Sequence, residues 1–131
     1  MTDTDPLSGG CACGAVRYSV NAAPMFQFHC QCRDCQRASG TGHGSAMAVA
    51  KSAVEISGEL RFFDQAGDSG NIVARGFCPT CGSPVLNRNS GYADNLYIHA
   101  ASLDDSGRFT PSRVVFRASA QPWDHMDPAL D

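Results

Sequence analysis

The chain has no stretch approaching the ~20 apolar residues that a membrane-spanning helix requires, and none of its ten Lys and Arg residues is adjacent to another. The first absence argues against an integral membrane protein. The second, with a net charge of −3, argues against a dedicated nucleic-acid surface, which shows as a basic patch or stripe. The N-terminal MTDTDPLSGG is polar and acidic, without the charged-then-apolar order of a signal peptide. The expected location is therefore the cytoplasm, where thiols stay reduced. Internal repeats and low-complexity stretches are also missing, and there is one tryptophan, Trp123. Hydrophobic residues nevertheless make up 43% of the 131 residues. A chain of this size buries about two thirds of its unfolded surface and is expected to form one domain over residues 1–131. Metal is not needed merely to rescue a small scaffold.

Proline and glycine interrupt the chain so often that the apolar runs between them stay short. Ala15–Val20, Met25–His29, Ala46–Ala50, Glu59–Phe63, Asn71–Phe77, Pro84–Asn89, Leu96–Ala100 and Arg113–Arg117 read as strands. A mainly β fold follows. One short helix is predicted over Arg33–Ser39 and another near Lys51–Val54. The Gly67-Asp68-Ser69-Gly70 stretch reads as an exposed loop.

Seven cysteines stand in three tight groups: Cys11-x-Cys13, Cys30-x-Cys32-x-x-Cys35 and Cys78-x-x-Cys81. An odd count fits a disulfide framework poorly, whereas close spacings suit thiolates converging on a metal. In extended chain, residues i and i+2 face the same way, so Cys11 and Cys13 can present two sulfurs to one ion. Cys78 and Cys81 bracket a turn that can do the same. Together they would make a closed four-thiolate site, the structural kind. Spacing does not prove that pairing, but it is the economical one, because Cys30, Cys32 and Cys35 can converge locally from six consecutive positions. Three sulfurs leave a fourth position for a histidine, a carboxylate, water or a substrate. His43, in a Gly-rich turn, would close the site; His29 adjoins Cys30, His99 lies within a strand, and His125 is near the C-terminus. A thiol redox pair, Cys32 with Cys35, is the metal-free alternative, although it has no need of a third thiolate.

Three ordered motifs carry a specific resemblance: Gly10-Cys11-x-Cys13-Gly14-Ala15-Val16-Arg17-Tyr18, His29-Cys30-x-Cys32-x-x-Cys35-Gln36-Arg37-x-Ser39-Gly40, and Phe77-Cys78-x-x-Cys81-Gly82-Ser83-Pro84. With the later Pro122-Trp123, the chain resembles the glutathione-dependent formaldehyde-activating enzyme family. The resemblance implies a β-tent of mostly antiparallel sheets with one or two short helices. It also implies two zinc ions per chain: a structural one at Cys11, Cys13, Cys78 and Cys81, and a catalytic one at Cys30, Cys32 and Cys35. The implied activity is condensation of formaldehyde with glutathione to S-(hydroxymethyl)glutathione, a carbon–sulfur lyase reaction named for the reverse direction.

The residues suit that chemistry. A free thiol titrates near ~8.5, and zinc coordination deprotonates it. Glutathione, the expected small-molecule partner, carries two carboxylates, and Arg37 just after the central group is the candidate to bind one of them. Trp123 is expected either to cover the pocket or to pack as a core or edge aromatic. The competing reading is a non-enzymatic zinc module that binds a protein partner.

Overall fold

The computed structural model describes residues 6–131; the first five residues of the polar N-terminal stretch lie outside them. Ten strands are present among the described residues: β1 (Leu7–Gly10), β2 (Arg17–Val20), β3 (Phe26–Cys30), β4 (Gly44–Ala50), β5 (Val54–Ser57), β6 (Arg61–Ala66), β7 (Ile72–Phe77), β8 (Pro84–Asn89), β9 (Asn95–His99) and β10 (Arg113–Val115). One α-helix, α1 (Arg33–Ser39), joins β3 to β4. No helix among the described residues is long and apolar enough to cross a membrane.

The strands form two sheets, β1-β2-β5 and β10-β3-β4-β9-β8-β7-β6. Pairing is antiparallel throughout except for β10, which runs parallel to β3. The mainly β, mostly antiparallel architecture with one helix is the fold class expected from the sequence.

Register divides the large sheet into two faces, because directly opposed residues point the same way. Met47 opposes Ile98, Ile98 opposes Leu86, Leu86 opposes Gly76, and Gly76 opposes Phe62. This face meets Leu7, Tyr18 and Val20 of the small sheet in the core. Met47 and Ile98 have no exposed surface, and burying each contributes about 1.5–3 kcal/mol. The opposite face carries Phe28, Ala46 and His99 in one row, and Phe63, Arg75, Asn87, Tyr97 and Ala48 in the next. Cys30 belongs to this second face, opposite Gly44.

Several boundaries differ from the sequence reading. The short helix expected near Lys51–Val54 is a single 3-10 turn over Lys51–Ala53 that leads straight into β5. The strand expected from Ala15 starts at Arg17, because Ala15 and Val16 complete the turn around the first cysteines. Arg113–Arg117 stops at Val115, where Phe116 takes a left-handed conformation with φ of 59°. Strand β1 was not expected, since Ser8-Gly9-Gly10 contains no strand-favouring residue. It forms because Gly9 is free to pack directly against Tyr18 and the Ser102 carbonyl, where a Cβ would lie 2.3 Å from each.

Candidate active site and metal centres

The two cysteine pairs that lie far apart in sequence meet in space. Cys11 and Cys13 come from the β1–β2 turn, and Cys78 and Cys81 from the β7–β8 turn, so one cluster joins a hairpin of each sheet. Cys11 Sγ is 3.6 Å from Cys13 Sγ, and Cys13 Sγ is 3.7 Å from Cys78 Sγ. A tetrahedron built on ~2.3 Å zinc–sulfur bonds has edges of about 3.8 Å. All four sulfurs lie within 4.8 Å of one another, so the donor set fits zinc in both chemistry and spacing. Backbone amides support the sulfurs: Val16 N–H donates to Cys11 Sγ at 3.3 Å and Thr80 N–H to Cys78 Sγ at 3.4 Å. The Ser83 hydroxyl, then its backbone amide, bring the exposed Cys81 thiol down to about 5.

A turn this tight depends on Gly10. Its Cβ, if present, would sit 2.1 Å from the Val16 carbonyl oxygen, which accepts the Cys11 amide at 3.1 Å. Backbone would have to move. Gly10→Ala is therefore expected to cost about 1–3 kcal/mol and to loosen metal at this cluster while the central one stays filled. Urea denaturation with zinc analysis checks this; a variant with unchanged midpoint and zinc content would contradict the packing.

The central group assembles at the junction of β3 and α1. Cys30 ends the strand. Cys32 is the helix N-cap, extended at φ −67° and ψ 154°, and its sulfur accepts the Cys35 amide at 3.3 Å. Cys35 follows in the first turn and packs against Gly44, where a Cβ would approach Cys35 Cβ to 3.3 Å. The helix ends at Gly40, whose φ of 78° is the left-handed cap that glycine favours. The buried Gln36 holds α1 in place: it donates to the Gln31 and Ser119 carbonyls and accepts from Arg33 and Gln121, at 2.7–3.0 Å.

The three sulfurs lie within 4.8 Å of one another. Hydrogen bonds from Cys30 and then Cys35 drive the Cys32 thiol far down, and Cys32 and then Cys35 push Cys30 up. Three sulfurs left to themselves thus favour sharing one negative charge. Ionising all three demands a cation, and the thiolate donor set again suits zinc. Among the described residues no histidine or carboxylate joins this cluster. His43 instead binds Asp124 through Nδ1 at 2.9 Å and stacks edge-on against His29, centroids 4.8 Å apart. His29 Nδ1 meets Ser45 Oγ at 2.7 Å. Burial raises the Asp124 carboxyl, but hydrogen bonds from Gln31 and His43 outweigh it and hold the group below its usual range. His125 is exposed in the C-terminal segment, and Arg37 is exposed in the last turn of α1.

Sequence reasoning missed Arg75. It stands on β7, on the same face as Cys30, with Nη2 4.0 Å from Cys35 Sγ. It also lines a cavity of about 230 Å³ with Phe63, Phe77, Gly82, Pro84 and His99. His99 Nε2 meets the Asn87 side-chain oxygen at 3.0 Å. Because that oxygen only accepts, Nε2 carries the proton. Burial and then the Arg75 cation bring His99 down to about 4, so it is neutral at pH 7. The alternation of Asn71–Phe77 was the available signal, since it sets Arg75 on one face with Phe77, the residue just before Cys78. Trp123, by contrast, is 60% exposed and neither belongs to the core nor lines this cavity.

Residues 6–119 match the family model described as glutathione-dependent formaldehyde-activating enzyme. No curated protein matches the chain. Among solved structures, a Rhodobacter sphaeroides protein is similar with a TM-score of 0.60 and 21% identity, over 75% of this chain and 88% of that one; the likeness is one of fold. All seven cysteines and Arg75 lie inside the matched residues, and the chain belongs to the glutathione-dependent formaldehyde-activating enzyme family.

Proposed function

We propose that the protein reversibly joins formaldehyde to glutathione, giving S-(hydroxymethyl)glutathione, and is thus a carbon–sulfur lyase of a small thiol adduct. In this reading Cys11, Cys13, Cys78 and Cys81 hold a structural zinc, and Cys30, Cys32 and Cys35 hold the catalytic one. The observation that carries it is the three-sulfur cluster that no further described residue completes, beside a cavity with a cationic wall. Zinc bound there would supply a position where a fourth thiol ionises near neutral pH.

The chain's own residues do the rest. The N-cap geometry of Cys32 and the first turn of α1 bring the three sulfurs within 4.8 Å of one another. A thiolate sulfur of the substrate attacks the aldehyde carbon, forming the C–S bond. The π electrons of the C=O bond move to oxygen, which takes up the proton that the thiol released. Phe63 and Phe77 supply an apolar side of the cavity. His99, neutral at pH 7, leaves Arg75 as the positive group there. Three thiolates and one divalent ion sum to −1, so positioning of thiol and aldehyde contributes more than polarisation of the carbonyl. Arg37, at the exposed end of α1, is the candidate for the outer of the two glutathione carboxylates. Seven cysteines, none in a disulfide, suit a reducing compartment, and the cytoplasm is the proposed location.

The test is exchange spectroscopy of formaldehyde with glutathione in the presence of zinc-replete protein. Faster interconversion than in buffer is expected, with weaker glutathione binding in Arg37→Ala. No acceleration and no glutathione binding would leave the non-enzymatic zinc module as the better reading. Unchanged affinity in Arg37→Ala would remove that residue alone.

A further inference from the structure

We infer that Arg75 determines the specificity of the three-sulfur site by selecting thiols that carry a carboxylate. This deepens the proposed function and rests on its premise that a small thiol enters beside Cys30, Cys32 and Cys35.

The guanidinium lies beside the sulfur cluster, and no carboxylate among the described residues pairs with it. Nε donates to Gln65 Oε1 at 3.0 Å, and Gln65 Nε2 donates in turn to Asp34 Oδ1 at 3.0 Å. Asp34 belongs to the first turn of α1, so this relay ties the plane of the Arg75 fork to the helix that carries Cys35. Asp34 binds the Gln65 amide rather than the cation, and among the described residues no carboxylate forms an ion pair with Arg75. A guanidinium has five N–H donors. One is used on Gln65 and one points toward Cys35 Sγ. The others have no protein acceptor among the described residues, while the side chain lines the cavity.

The surroundings make that position an anion site. Phe63, Phe77 and Pro84 are apolar, and His99 is a neutral neighbour. A half-buried cation in such a wall is costly unless paired, and the planar fork matches a carboxylate in a bidentate way. Its place next to Cys35 sets the chemistry of the ligand. A sulfur at the fourth position of the cluster and a carboxylate on Arg75 belong to one small molecule, with only a few bonds between them.

Calorimetric titration of zinc-replete protein with 3-mercaptopropionate and with 2-mercaptoethanol tests the inference, because the two thiols differ in the carboxylate. The wild type is expected to prefer 3-mercaptopropionate. Arg75→Gln should weaken that thiol about tenfold or more and 2-mercaptoethanol much less, and Arg75→Lys should recover part of the preference through charge alone. Zinc content and circular dichroism identify any variant that fails to fold. If Arg75→Gln does not fold, Arg75→Lys carries the test, with a reduced preference expected and an unchanged one overturning the inference. Equal weakening of both thiols would overturn it too, since Arg75 would then serve the sulfur cluster itself. A wild type that binds both thiols equally well would end the inference and leave the proposed function standing. A wild type that binds neither thiol would end both.

Discussion

Replacing Cys78 with Ser is expected to cost the protein its native fold. Cys78 is fully buried, inside the same core cluster as Met47, Leu86 and Ile98. In the proposed reading its substitution removes a metal ligand, and it places a hydroxyl where no apolar neighbour satisfies it, which costs about 1–3 kcal/mol alone. The metal matters more. Structural zinc contributes on the order of 10–16 kcal/mol in small peptides, against a net stability of roughly 5–15 kcal/mol for a domain. About half of that value already matches the lower end of the margin. The variant should lose zinc and the near-ultraviolet signal of fixed aromatic packing. Cys81→Ser, at an exposed position, should be milder. Purified Cys78→Ser with wild-type zinc content and a native melting curve would refute the structural role assigned to this cluster.

Cys32→Ser should have the opposite profile: a folded protein without activity. Serine is among the preferred N-cap residues, so its oxygen can take the Cys35 amide that Cys32 Sγ accepts, and α1 keeps its start. A two-sulfur remnant holds zinc poorly. One of two zinc ions per chain should be lost. The rate of formaldehyde–glutathione interconversion should fall on the order of 10³-fold or more, several kcal/mol of barrier, as expected when a metal site is removed. The melting temperature should shift by only a few degrees. If Cys32→Ser and Cys78→Ser unfolded to the same extent, the division into a closed and an open cluster would not hold.

The helix and the cysteine clusters were legible in the sequence because their signals are local. Arg33–Ser39 begins at a side chain able to cap it and ends at a glycine, and six residues suffice to bring Cys30, Cys32 and Cys35 together. Strand β8 was equally plain, bounded by the Gly82-Ser83 turn and the Ser90-Gly91 turn. What escaped depends on distant partners. Strand β1 exists through its pairing with β2, not through its own residues. Arg75 acquires meaning only when β7 lies beside β6 and β8 and turns one of two faces toward α1. His43 was a reasonable fourth ligand by spacing, yet it does not join the three sulfurs, and its Nδ1 pairs with Asp124, 81 residues away. No local pattern announces such a partner.

The anchoring of α1 has a consequence for the order in which the molecule is made. Every cysteine precedes Val114, Ser119, Gln121 and Asp124 along the chain. Those later residues supply the parallel strand beside β3, two of the four bonds to Gln36 and the contact that positions His43. On a ribosome, which delivers the chain from its N-terminus, both sulfur clusters emerge while α1 still lacks these bonds. The sulfur clusters can therefore assemble in a nascent chain before these later residues fix α1.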